Sequence, residues 1–265
     1  MSVDNPVITA VIVSYWPKRQ EDLPVIVESL ENQSVPPDKI IIMNNGPALP
    51  ARIGSAITIN SNENFHCRSK YIAALMHPSD YYFFLDDDVV PQKRCIEAFL
   101  NFADKDCCLS WWGTKMVDNF FSSGTFIKCE DLYQKGSDPV KVDGFIGIVQ
   151  FCSFNSIVTM LKAEANIRLD PREYIYDGED IFMGMSNPNA MVIPLSNNLE
   201  ESAYTLWDHQ KDGAMQLDDG YYQARDDFAF KAWISLGNEP FDSPIPEGDA
   251  FEAKIKLYKE TISGR

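Results

Sequence analysis

The first ninety residues alternate between unbroken apolar runs and runs in which apolar positions are spaced. Val7 to Ser14 is a β-branched run, the pattern of a strand covered on both faces. From Glu21 to Gln33 the apolar residues fall at 23, 26, 27 and 30, one face of a helix, with Pro24 in the first turn where proline is tolerated. Lys39 to Met43 is a second buried run, closed by Asn44-Asn45-Gly46-Pro47, and Ala56 to Ile59 is a third, shorter one. Arg68 to Met76 predicts a helix with Ile72, Ala73, Leu75 and Met76 turned inward. Tyr81 to Leu85, YYFFL, is a fourth strand. The order β-α-β-β-α-β predicts a parallel sheet with helices on its faces.

Beyond residue 90 the pattern is less regular. Pro91 to Phe102 predicts a helix, Cys107 to Trp112 a strand, and Asp118 to Lys141 hairpins or loops over the sheet. Val142 to Phe154 is apolar and glycine-containing. Ile157 to Ala165 has helical character, Asp177 to Met185 reads as a loop entering a helix, and Met191 to Leu195 is a late strand. From Glu200 onward the composition changes, with helical character only at Phe228 to Leu236. This tail is expected to close over the rim of the sheet or to form an oligomer contact. No internal repeat and no strong linker divides the chain.

In a parallel sheet, ligands bind beyond the carboxyl ends of the strands. That rule places Ser14-Tyr15-Trp16, Asn44-Asn45 and Asp86 to Asp88 on one rim. The triplet matters most, because three carboxylates ending a core strand need a counter-charge. The whole chain is acidic, with a formal net charge of -16, so a divalent cation is the expected answer. That charge argues against non-specific nucleic-acid binding and adhesion to anionic lipid. None of the six cysteines has C-x-x-C spacing and there are three histidines. Free buried thiols are therefore expected rather than a zinc site. Neither a basic leader nor an apolar run of membrane-spanning length occurs. The expectation is a cytoplasmic protein, with peripheral membrane attachment left open. No G-x-G-x-x-G follows the first strand, and no G-x-x-x-x-G-K-[ST] is present.

Four segments in order carry a resemblance: ITAVIVSYWPKRQEDLPVIVESLENQS, KIIIMNNG, NSNENFHCRSKYIAAL and YYFFLDDDVVP, with Glu179-Asp180 in YDGEDIFMGM following later. Together they resemble a GT-A-type nucleotide-sugar glycosyltransferase, family 2-like, over roughly residues 7 to 195. The resemblance implies an α/β fold of GT-A type. Its Rossmann-like mixed central sheet is flanked by helices, in a single domain with a C-terminal extension. The core would span 1–199, with a nucleotide-binding half of about 1–90 and an acceptor half of about 91–199, and the extension 200–265. The resemblance implies donor contacts from Ser14, Tyr15, Asn44, Asn45, Arg68, Asp86 and Asp87. The family's nucleoside-facing Asp is replaced here by Asn44 or Asn45. It also implies Mn²⁺ or Mg²⁺ on Asp86 and Asp88, and a further ligand from His209. The partners would be a nucleoside-diphosphate sugar and a glycan or glycoconjugate acceptor, the activity that of a hexosyl- or deoxyhexosyltransferase.

The chemistry can be argued without the family. A diphosphate leaving group gains negative charge, which a carboxylate-held divalent cation stabilises. In an extended strand Asp86 and Asp88 face one way, while Asp87 faces the other as structural support. An attacking hydroxyl must lose its proton, and Asp180, with Glu179 beside it, is the expected base of an inverting displacement. Arg68 and Lys70 are candidate diphosphate contacts. Asp143-Gly144 resembles the family's acceptor-side turn, and one of Trp111 and Trp112 is expected in the core. Two other readings stay open at this point. One is a nucleotidyltransferase or sugar-nucleotide pyrophosphorylase, although the loop YWPKRQED lacks the glycines it wants. The other is a non-catalytic carbohydrate-binding domain of the same fold.

Overall fold

The structure is a computed structural model that describes residues 6–117, 120–166, 178–206 and 221–237. Its centre is a mixed sheet of nine strands. β1 (Ile8–Ser14) pairs in parallel with β2 (Lys39–Asn44) on one side and β5 (Tyr81–Asp86) on the other. β4 (Ala56–Asn60) extends the parallel set beside β2, and β3 (Arg52–Ile53) edges it as an antiparallel strand. Beyond β5 the sheet continues through β12 (Val149–Ser153), β7 (Cys108–Ser110), β13 (Ala190–Val192) and β10 (Val140–Lys141). β12 runs antiparallel to both β5 and β7, which makes the sheet mixed. Every residue of β1 is buried, as its unbroken apolar run requires.

The aromatic run of β5 is buried on both faces. Phe83 packs with Phe99 and Phe151 at ring-centroid distances of 5.8 and 6.3 Å. Phe99 belongs to α4 (Cys95–Leu100). Tyr82 and Phe84 point to the opposite face, where Tyr71 of α3 (Ser69–Met76) meets Phe84 at 5.2 Å. Phe154, which opens α6 (Phe154–Asn166), lies near Tyr82. A short helix α1 (Pro17–Gln20) precedes α2 (Leu23–Glu31), whose buried residues are the expected Leu23, Ile26, Val27 and Leu30.

Two expectations are corrected here. Ile72, Leu75 and Met76 of α3 are exposed, and its buried face is Ser69, Lys70, Tyr71, Ala73 and Ala74. The helix is rotated because Lys70 and Tyr71 find buried polar partners, which outweighs covering three aliphatic side chains. Pro91 does not start a helix. It ends β6 (Val89–Pro91), which pairs antiparallel with β14 (Ala203–Thr205). The expected hairpin is present: β8 (Trp112–Val117) pairs antiparallel with β9 (Phe120–Lys128), β11 (Gly144–Phe145) joins them in a three-stranded sheet, and α5 (Cys129–Gln134) follows. α7 (Glu179–Ser186) packs on β11, and α8 (Tyr221–Ser235) packs on β9 and α7. The six cysteines are free thiols. No helix of the described residues is long and apolar enough to cross a membrane.

Phe99 carries the packing on one face of β5. Phe99→Ala is expected to cost about 3–5 kcal/mol, measured by urea denaturation. A loss under about 1 kcal/mol would mean that this cluster does not anchor the sheet.

Candidate active site

Register fixes the rim. Ser14 pairs with Asn44, Asn44 with Asn60, and Val13 with Asp86, so the carboxyl ends of four strands lie along one edge. The strand geometry stops at Asp86, and Asp87 and Asp88 form a turn before β6. The turn ends the expected alternation. Asp87 and Asp88 share one cation: Arg19 of α1 places Nη1 3.4 Å from Asp87 Oδ1 and Nη2 3.3 Å from Asp88 Oδ2. Asp87 Oδ2 also accepts the Tyr15 backbone N–H at 3.2 Å. Asp86 is half-buried; its backbone N–H donates to Ile148 O at 3.3 Å, and its carboxylate makes no hydrogen bond or ion pair among the described residues.

Across the rim, Lys70 Nζ lies 3.1 Å from Glu179 Oε1, with both side chains buried. The Arg225 Nη2 of α8 donates to Asp180 Oδ2 at 2.9 Å, and Asp180 Oδ1 accepts from the Ile181 N–H at 2.8 Å. Two close approaches shape this corner. A Cβ on Gly147 would stand 2.9 Å from Asp180 Oδ2, and one on Gly178 would fall 2.2 Å from the Phe228 ring. Glycine at 178 therefore lets α8 seat directly against the start of α7.

Electrostatics link the two clusters. Burial raises Asp86 well above the carboxylate range, an effect Lys70 partly opposes and Asp88, Asp87 and Glu179 reinforce. Burial likewise raises Glu179 despite Lys70 and Arg225. Burial by itself would lower Lys70, but Glu179, Asp86 and Asp180 outweigh it and raise it. Burial pushes Asp87 up to about 6 against the pull of Arg19. Among the described rim residues, Asp86, Asp87, Asp88, Glu179 and Asp180 face Arg19, Lys70 and Arg225, five formal negative charges against three positive.

The other expected residues separate by use. Tyr15 and Trp16 are exposed beside the triplet, their rings edge-to-face at 5.0 Å. Asn44 spends its whole amide inside the protein: Nδ2 donates to Pro47 O and Asn60 Oδ1, and Oδ1 accepts from Gln20 and the Gly46 N–H. Asn45 donates to His66 O and Ser69 Oγ. Both asparagines brace loops, and Ser14 is fully buried, its carbonyl accepting the Asn45 N–H at 2.8 Å. Arg68, just before α3, pairs with Glu164 of α6, while Lys70 of α3 enters the acidic cluster. Asp143 holds the Met116 N–H at 2.8 Å, and Trp111 is the buried tryptophan. His209, Trp207, Asp208 and Asp177 lie outside the described residues. Among the described residues no group of three or more His, Cys, Asp and Glu is arranged to hold a metal. A groove of about 460 Å³ lies at the opposite edge of the sheet, around Val7, Asp80, Tyr81 and Asn155.

Comparison with known families decides the assignment. The family model described as glycosyl transferase family 2 matches residues 9–155, more than half of the chain. The chain belongs to that family. A comparison with curated protein sequences gives no match. Among solved structures, this family 2 chain is similar to S. aureus TarS residues 1–349 in complex with UDP-GlcNAc. The identity is 11% and the TM-score 0.54, over 82% of this chain and 64% of that one. The same TarS segment without a named ligand gives 11% identity and a TM-score of 0.50, over 87% and 71%. At such identity the likeness shows the fold. The chain spans 58% of a UDP-bound TarS 1–349 structure and 36% of a longer TarS structure.

Arg19 and Arg225 were not legible as site residues. Arg19 had only its nearness to the end of the first strand, and Arg225 no local signal. Two predictions follow from the rim's charges. Lys70→Met leaves Glu179 buried and unpaired and is expected to cost about 3–5 kcal/mol. Adding Glu179→Gln should restore most of it in chemical denaturation, and a double variant no better than the single one contradicts the pairing. Asp87 binds its proton more tightly folded than unfolded, so its contribution to stability is present at low pH and is lost as pH rises through about 6. Asp87→Asn is therefore expected to flatten the stability–pH curve between roughly pH 4 and 6, and an unchanged curve would refute it.

Proposed function

We propose that the protein transfers a sugar from a nucleoside-diphosphate donor to a hydroxyl of a glycan or glycoconjugate. The observation that carries this reading is the rim itself. An open carboxylate, Asp86, stands among carboxylates that outnumber their cations by two, on the ligand edge of a family 2 fold. The residues present fit a divalent cation. Mg²⁺ and Mn²⁺ sites of this kind need one or two carboxylates, with the rest of the shell from water and substrate phosphates. Asp86 and Asp88 would hold it, and no third protein ligand is required. Bound there, the ion would neutralise charge on the departing diphosphate.

The chain's own residues supply the remainder. The exposed faces of Tyr15 and Trp16 offer a stacking surface for the nucleoside. Lys70 compensates the carboxylates beneath the metal position. Asp180 is the proposed base, and Arg225 and the Ile181 N–H fix its carboxylate while Gly147 leaves room beside Oδ2. Attack through a single base on one face would invert the anomeric centre. The TarS complex holds UDP-GlcNAc, which makes a uridine donor the first to try. The choice between hexosyl and deoxyhexosyl donors, the acceptor, and a cytoplasmic setting belong to the same proposal.

Thermal melting with Mn²⁺ and a panel of UDP, GDP, ADP and CDP tests the donor site. At least one pair is expected to raise Tm, and no shift from any of them would sink the reading. Asp88→Ala should abolish the Mn²⁺-dependent shift. Asp180→Asn should keep it yet lower transfer by roughly a hundredfold or more, and full activity in that variant would remove Asp180 as the base.

A further inference from the structure

Arg19 is held unusually loosely for a half-buried guanidinium. Its side chain is 12% exposed, and its two ion-pair contacts, 3.4 Å to Asp87 and 3.3 Å to Asp88, are long for charge-assisted hydrogen bonds. Its Nε is buried with no hydrogen-bond partner among the described residues. A side chain with five donors in a rigid fork thus makes two stretched contacts and leaves one donor bare. Desolvating an arginine is costly, and a permanent structural partner would be expected to close around it. The site instead sets this one guanidinium against two carboxylates, Asp87 and Asp88. Its backbone sits on α1, one turn starting at Pro17 directly beyond the end of β1, so the guanidinium hangs over the same rim as Tyr15.

Asp88 cannot serve Arg19 and a divalent cation equally well. A cation bridging Asp86 and Asp88 would place like charge within a few ångströms of the guanidinium and drive it outward. The nearest new acceptors there would be phosphate oxygens, which match the arginine fork in pairs. We infer that Arg19 is an exchangeable counter-ion. It clamps Asp87 and Asp88 when the site is free of ligand, and moves to the donor's diphosphate when the divalent cation takes Asp88. This rests on the donor-site reading above and adds to it a binding residue with two alternating partners.

Titration calorimetry on the whole chain separates the possibilities. Wild type and Arg19→Gln are titrated with Mn²⁺ alone. Each is then titrated, in saturating Mn²⁺, with whichever of UDP, GDP, ADP and CDP binds wild type most tightly. Arg19→Gln is expected to bind Mn²⁺ alone roughly tenfold more tightly, because a competing charge is gone. It should bind the nucleoside diphosphate roughly tenfold more weakly, because the fork is gone. The opposite signs are the signature. Weakening of both affinities would assign Arg19 a structural role, and no change in either would make it a bystander; both results overturn the inference. Arg19→Lys keeps the charge and loses the fork, and serves if the glutamine variant does not fold. It should match wild type for Mn²⁺ alone and lose affinity for the nucleoside diphosphate, and unchanged affinity for both overturns the inference. Wild type that binds neither probe would defeat the donor-site reading itself, whereas binding by wild type with same-sign effects in the variant defeats only the role of Arg19.

Discussion

One buried ion pair, Lys70 to Glu179, sets the geometry on which the rest of the rim depends. Lys70 rides on α3, which packs against β1 and β2, and Glu179 opens α7, which packs against β11 and β13. Neither group could stay charged in that interior alone, so each fixes where the other's helix must lie. The pair also explains the rotation of α3. Turning Ile72, Leu75 and Met76 inward would carry Lys70 away from Glu179 and leave a bare carboxylate among apolar strands. Exposed aliphatic surface is the smaller cost.

From that pair the charges spread outward in a graded way. Glu179 has a fully buried lysine, Asp180 a buried arginine brought by α8, Asp87 and Asp88 a stretched and shared arginine, and Asp86 nothing within ion-pair distance among the described residues. Compensation therefore weakens from the start of α7 toward the end of β5. A carboxylate cluster built for stability alone would be neutralised evenly. This one leaves its deficit at the point where the strand ends of a family 2 fold meet a ligand.

The elements legible in the sequence are those whose burial depends on nearest neighbours. β1, β2 and β5 read as continuous apolar runs because both faces are covered, and α2 shows its inward face because only aliphatic packing decides it. The rim was legible too, since strand direction alone brings Ser14, Asn44 and Asp86 to one edge. What failed to show was set at long range. A lysine on the buried face of α3 contradicts any hydrophobic count until Glu179 is known. β6 carries Val89, Val90 and a proline and looks like the approach to a helix until Ala203 and Thr205 arrive beside it. The asparagines at the end of β2 looked like ligand contacts, yet their amides are consumed by loop backbone that only the fold brings near.

β14 also bears on how the protein is made. It joins the chain to β6 at the residues directly after the aspartate turn, and the Leu206 N–H closes onto Asp88 O at 2.8 Å. Further backbone bonds run from Gln92 to Ser202 O and from Arg94 to Glu200 O. During synthesis β1, β2 and β5 can pair as soon as they leave the ribosome, but β6 must wait for a partner from far downstream. Until then Arg19 and the Tyr15 N–H are available to hold the aspartate side chains, while the turn lacks the backbone bonds that β14 supplies. The backbone of the acidic turn is thus tied to a segment far downstream, so removing β14 would loosen Asp88 while leaving the pairing of β1, β2 and β5 in place.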